Sequence, residues 1–194
     1  MPDHPILPVL TKRWSGRAYA DRDVDEATLN RLFEAARWAA SSYNEQPWRF
    51  LVTRQGTRAF QRLLDTLFKG NRGWAANAPV LVATFAARYF QRNGQPNAHY
   101  WHDLGLAMGN LTLQATELGL NVHQMAGFER FQLAREFGVP DGFAPVTVAA
   151  IGYHGQPDDL PDPFGAMEEA AQVRLPLRDL VFRDTWPSEK DNTI

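Results

Sequence analysis

The run Val80-Leu81-Val82-Ala83-Thr84-Phe85, entered through Pro79, is apolar at almost every position and constrains the fold more than any other segment. A strand with one wet face alternates apolar and polar residues; a run without that alternation belongs to a strand covered on both sides. Candidate covers flank it. Asp25 can cap a helix whose Leu29, Leu32, Phe33, Ala36 and Ala40 recur at helical spacing, with Glu26 in the first turn where the helix dipole favours a carboxylate. Thr57 can cap a second helix with Phe60, Leu63, Leu64 and Leu67 on one face and Gly70 at its C-terminal end. The longest helix runs from Trp101 to Leu118, stopped by Gly119, with Leu104, Met108, Leu111, Ala115 and Leu118 on one stripe. Gly105, Gly109, Thr112 and Thr116 form a second, small-residue stripe that lets another backbone approach closely, so this helix is expected to be central or interfacial.

Trp48–Thr53, Asn121–Met125 and Val146–Ile151 read as further strands, and Glu129–Phe137, closed by Gly138, as another helix. Arg174–Trp186 holds a strand or extended arm. The pattern predicts an α+β sandwich with helices on both faces of one sheet. A chain of 194 residues fits one domain, residues 1–194, in which 155–165 is a Pro-, Asp- and Gly-rich surface loop and 174–194 a C-terminal arm.

Composition removes several function classes. A formal charge of −2 predicts no strong attraction to nucleic acid or to an anionic membrane. No run approaches the roughly 18 apolar residues of a spanning helix, and Met1–Pro8 lacks the basic-then-apolar order of a signal peptide, so a cytoplasmic location is expected. The absence of cysteine excludes disulfides and thiolate-held metals or clusters. Redox chemistry on this chain would need an organic cofactor.

Four segments could carry chemistry. Arg13, Ser15 and Arg17, with Trp14 among them, would lie on one side of an extended segment, where two guanidiniums and a hydroxyl suit a phosphate; a solvated basic turn explains the same residues. Ser41, Ser42, Asn44 and Gln46 crowd donors and acceptors into the loop before Pro47-Trp48, more than a helix-terminating turn requires. Asn121–Met125 leads into Ala126-Gly127, where glycine allows close approach by a flat ligand, though an ordinary strand and turn would read the same. Arg174 is the fourth, alone indistinguishable from a surface arginine.

Together, and in this order from about Lys12 to Trp186, these segments resemble the FMN-dependent nitroreductase family. The resemblance implies a central mixed, mainly antiparallel sheet flanked by helices on both faces. It implies that Arg13, Ser15 and Arg174 hold the FMN phosphate and that Arg17 lies by N1 and the C2 carbonyl of the flavin, where its charge tunes the reduced state. Ser41, Ser42 and Asn44 match positions that approach the flavin from a neighbouring subunit. Ala126 and Gly127 would set a backbone N–H against N5, and Asn71 would contact the ring. Gln172 stands where some relatives carry a second basic phosphate ligand. The implied activity is that of a homodimeric, NADH- or NADPH-dependent oxidoreductase acting on a nitroaromatic, a quinone or a similar electron-poor small molecule by a ping-pong route. A flavin-dependent dehydrogenase or dehalogenase on the same fold, or a non-catalytic flavin-binding protein, are the alternatives. No side chain is expected to act as nucleophile or base.

His99 and His102 beside Asp103 could form part of a metal site, but no third ligand is evident, and Asp103 at a helix N-terminus has a sufficient reason to be there. No metal is expected. His123, in an apolar strand, reads as a core residue.

Overall fold

The computed structural model describes residues 2–186, so residues 187–194 of the expected arm lie outside the described residues. Four strands, β1 (Trp48–Arg54), β2 (Val80–Ala87), β3 (Leu120–Met125) and β4 (Phe143–Tyr153), form one sheet in the order β1-β2-β4-β3. All three pairings are antiparallel, so among the described residues the sheet has no parallel pair.

Every residue of β2 is buried. Its Val80, Val82 and Ala86 face a core built with Leu29 and Leu32 of α2 (Glu26–Arg37) and Leu104, Met108 and Leu111 of α5 (Tyr100–Glu117). Its Leu81, Ala83 and Phe85 face a second core, made with Phe60, Leu63 and Leu64 of α3 (Arg58–Leu64), Trp74 and Ala75 of α4 (Lys69–Ala75), and Leu133 of α6 (Arg130–Glu136). The two-sided cover expected from the apolar run is therefore present. Where Pro145 of β4 removes a ladder donor, the register shifts between Thr84 and Phe85. The Thr84 hydroxyl accepts from Thr147 N at 3.0 Å and holds the irregular segment.

The caps follow the sequence closely. Asp25 accepts from Thr28 N at 2.6 Å and Thr57 from Phe60 N at 3.1 Å. Gly119 and Gly138 follow α5 and α6 with φ of 73° and 61°, the left-handed position at which glycine ends a helix. Three expectations need correction. The helix capped by Thr57 stops at Leu64, and Gly70 lies inside α4 rather than at the end of α3; Leu67 leaves the helix to form a bridge with Phe128. A short helix, α1 (Pro8–Lys12), starts on Pro8, a residue pre-set for a first turn. Of the strand or extended arm expected at residues 174–186, the strand is absent and the segment follows an exposed path with a short turn of helix at Leu177–Asp179. The end of the 155–165 loop runs into α7 (Phe164–Glu168).

The small-residue stripe of α5 is divided: Thr112 is buried in the chain, whereas its N-terminal half faces outward. Gly105 and Gly109 are exposed, and no atom lies within 4 Å of where their Cβ atoms would stand. The opposite face of α5 supports the fold, with Leu111 at 0% exposure. Leu111→Ala should lower unfolding free energy by about 2–5 kcal/mol, read from urea melts by circular dichroism.

Candidate functional site

The outer edge of β3 is where distant segments meet. The chain between α1 and α2 crosses it: Gly16 N donates to Asn121 Oδ1 at 2.9 Å, and Gly16 O lies 3.3 Å from His123 Nδ1. This pins Arg13, Trp14 and Ser15 just upstream. Arg13 Nη1 donates to Ser15 Oγ at 3.0 Å. Burial first, then the charge of Arg174, hold the Arg13 guanidinium below its usual range, and the C-terminal segment returns to the N-terminal one through Gln172. Gln172 makes that return, donating to Thr11 O at 3.3 Å while accepting from Arg174 Nη2 at 3.2 Å. Among the described residues, neither Arg13 nor Arg174 pairs with a carboxylate. Trp14 Nε1 and Asn121 Nδ2 are buried donors without an acceptor. Arg13 and Arg174, with no carboxylate to neutralise them, suit an anion rich in acceptors.

Arg17 does not join that pair. Its backbone N–H and guanidinium both reach Glu168 Oε1, at 2.9 and 3.4 Å. The guanidinium also sits 5.9 Å from the Trp74 ring centroid and 5.8 Å from that of Phe164. Nothing local to Glu168-Glu169 signals this pairing; the two acids read as a solvated face.

Trp74 links Arg17 to the far end of β3, because its ring lies 4.5 Å from that of His123, and α4 carries Asn71 one turn earlier. Asn71 Nδ2 donates to Gly127 O at 3.2 Å, and Phe68 N donates to the same oxygen at 3.0 Å. A Cβ on Gly127 would stand 2.8 Å from Asn71 Nδ2, so a larger residue there would displace the Asn71 amide. The Gly127 N–H donates to no atom of the described chain. From Asn121 to Gly127, at about 3.4 Å per residue, the edge spans about 20 Å. One end is cationic and the other offers a free amide beside Ala126.

Ser41, Ser42 and Asn44 lie elsewhere. Their loop precedes β1, at the opposite edge of the sheet from β3, about three strand spacings or 14 Å away. It is held in an unusual conformation, with Tyr43, Asn44 and Gln46 at φ of 53°, 56° and 47°. Such left-handed residues cost about 1–3 kcal/mol each unless surroundings fix them. Ser42 N donates to Asp103 Oδ2 and Gln46 N to Ser41 Oγ, both at 3.0 Å. Glu45 accepts from Gln91 N at 2.7 Å, and the Arg92 guanidinium stacks on Tyr43 at 3.7 Å. Asp103 thus anchors the loop, a role its sequence position at the start of α5 did not reveal.

His102 Nδ1 lies 3.1 Å from the other Asp103 oxygen, and among the described residues no group of three His, Asp or Glu side chains could hold a metal ion. No helix among the described residues is long and apolar enough to cross a membrane. His123 is half-buried, packed between Gly16 and Trp74. Burial first, then the Arg17 charge, push its imidazole below the ordinary value of 6.5, against a smaller opposing pull from Glu168.

Comparison with known proteins follows this geometry. The model of the nitroreductase family matches residues 10–153. A Streptomyces coelicolor protein provisionally named NADH dehydrogenase/NAD(P)H nitroreductase is 31% identical over 159 residues, covering 72% of this chain and 78% of its own length. A crystal structure described as an oxidoreductase containing FMN is similar with a TM-score of 0.92 at 30% identity, over 97% of this chain and 96% of that one. A provisionally named nitroreductase from Desulfovibrio desulfuricans, solved in complex with FMN, is similar with a TM-score of 0.73 at 25% identity, over 94% and 100% of the two chains.

The His123 environment gives a pH dependence of known sign. The unfolded chain takes up a proton near the ordinary value, whereas the folded chain resists it, so the stabilising contribution is complete above about pH 6.5 and is lost as pH falls through it. Urea midpoints should therefore fall between about pH 7.5 and 5.5 in the wild type. In His123→Gln the decline should be shallower.

Proposed function

We propose that this chain, which belongs to the nitroreductase family, binds FMN along the outer edge of β3 and works as an NAD(P)H-dependent oxidoreductase on an electron-poor small molecule such as a nitroaromatic or a quinone. The observation that carries this reading is the cradle in which Arg13 and Arg174 stand together beside Ser15 without a carboxylate. Two guanidiniums repel unless an anion joins them, and a phosphate accepts several charge-assisted hydrogen bonds at once. The orphaned Trp14 Nε1 and Asn121 Nδ2 add donors suited to a polar ligand.

When bound, FMN supplies hydride transfer between a reduced nicotinamide and the acceptor. The chain's part is binding and orientation. Arg13, Ser15 and Arg174 would take the phosphate, and Gly127 presents a free N–H with no Cβ to keep a flat ring away. Asn71 fixes Gly127 by holding its carbonyl. Arg17 places a positive charge between the two ends, already shared with Glu168. No side chain here needs to act as nucleophile or general base.

The active unit in this reading is a cytoplasmic homodimer of single-domain chains. Ser41, Ser42 and Asn44 lie at the opposite edge of the sheet from Gly127, and exposed Gly105 and Gly109 on α5 offer a place for a second copy. The loop would then complete the partner's site.

Arg13→Ala combined with Arg174→Ala removes both cradle cations while leaving the two cores untouched. Reconstitution with FMN followed by desalting should leave wild-type protein with flavin absorption bands that bleach with NADH or NADPH under anaerobic conditions. The double variant should retain its circular dichroism and lose FMN affinity by a hundredfold or more, on the order of two charge-assisted hydrogen-bonding partners at about 1.5–3 kcal/mol each. Equal flavin retention by the two proteins would overturn the phosphate assignment.

A further inference from the structure

We infer that Glu168 is a positioning residue that assembles the anion cradle: by gripping Arg17 it docks the C-terminal strap, and the docked strap delivers Arg174 to Arg13. The inference rests on the proposed flavin reading only for the identity of the anion. The strap from Pro161 to Val181 is exposed at every position except Phe164, Gly165 and Glu168. Two of these three residues contact Arg17. The Phe164 ring lies 5.8 Å from its guanidinium and that of Trp74 in the fold body 5.9 Å, so the cation touches both strap and body. Glu168, whose side chain is 8% exposed, takes both the Arg17 backbone N–H and its guanidinium.

Gly16 makes room for this contact. A Cβ there would stand 2.8 Å from Glu168 Oε2 and 2.4 Å from Asn121 Nδ2. Six residues beyond Glu168, the strap reaches Arg174. Between them the tie to the body is the single hydrogen bond from Gln172 to Thr11 O, made by an exposed side chain. An exposed bond of that kind contributes little by itself. The buried Glu168 contact is therefore the anchor on which the Arg13–Arg174 approach depends.

Anion binding and strap docking are then linked, and linkage is reciprocal: what favours the docked strap favours the anion, and the reverse. This sets the sign of the test against simple charge counting. A carboxylate near a phosphate site repels the phosphate, so counting charge alone predicts tighter FMN binding once Glu168 is neutralised. Anchoring predicts weaker binding.

Dissociation constants for FMN and for riboflavin, which lacks the phosphate, are measured by flavin fluorescence on wild type, Glu168→Ala and Glu168→Gln. Limited trypsin cleavage of the strap at Arg174 and Arg178 is followed on the same apoproteins. Glu168→Ala should weaken FMN about tenfold, the scale of a lost charge-assisted hydrogen bond, with a clearly smaller change for riboflavin and strap cleavage faster. Glu168→Gln keeps an acceptor oxygen for the Arg17 N–H and should fall between wild type and alanine in both readouts. Tighter or unchanged FMN binding in Glu168→Ala, an equal loss for both flavins, or an unchanged cleavage rate overturns the anchoring role. Wild-type protein that holds neither flavin overturns the proposed function instead, and the cleavage rates still report on the anchor.

Discussion

Burying β2 on both faces takes its backbone out of water altogether, so each N–H and C=O must pair sideways and each face must be covered by apolar side chains. β1 and β4 supply the sideways pairing in antiparallel register. α2 and α5 cover one face, and α3, α4 and α6 the other. That arrangement fixes what remains available for chemistry. Both faces are filled, leaving only the edges of the sheet, and β3 is the edge to which both chain ends return.

Contacts along the β3 edge join segments far apart in sequence. Asn121 and His123 hold the N-terminal crossing at Gly16. Glu168 and Gln172 hold the C-terminal strap against the same crossing. Two arginines at opposite ends of the chain thereby come to share one place, where a lone guanidinium would prefer solvent. A cationic end without its own carboxylate and a glycine end with a free amide give the edge a direction, and a ligand with a phosphate at one end and a flat ring at the other matches it.

The loop before β1 is built on a different principle. Three residues with positive φ hold it in a shape that few local sequences prefer, and the buried Asp103 carboxylate, the Ser41 hydroxyl and the Arg92–Tyr43 stack keep it there. These contacts keep a polar loop in one conformation at the sheet edge remote from Gly127. The strain persists because the surroundings over-determine it.

The apolar run of β2, the helical stripes, the Asp25 and Thr57 caps and the glycines after α5 and α6 were legible in the sequence, since each depends on local periodicity or on one residue's backbone freedom. The absence of cysteine likewise excluded disulfides and thiolate-held metals without reference to any fold. The break between α3 and α4 was not legible, because Leu67 leaves its helix for a bridge to Phe128 that no local pattern encodes. Nor was the pairing of Arg17 with Glu168: in sequence, Arg17 has the same spacing as its neighbours Arg13 and Ser15, and Glu168 is one of two adjacent acids among small and apolar residues. Only the tertiary structure decided that these arginines would have different partners, that Arg174 would come back to Arg13, and that the Ser41–Asn44 loop would lie at the far edge. Local sequence sets which conformations a segment can adopt; which charges meet depends on the order of strands in the sheet, and that order is fixed by long-range packing.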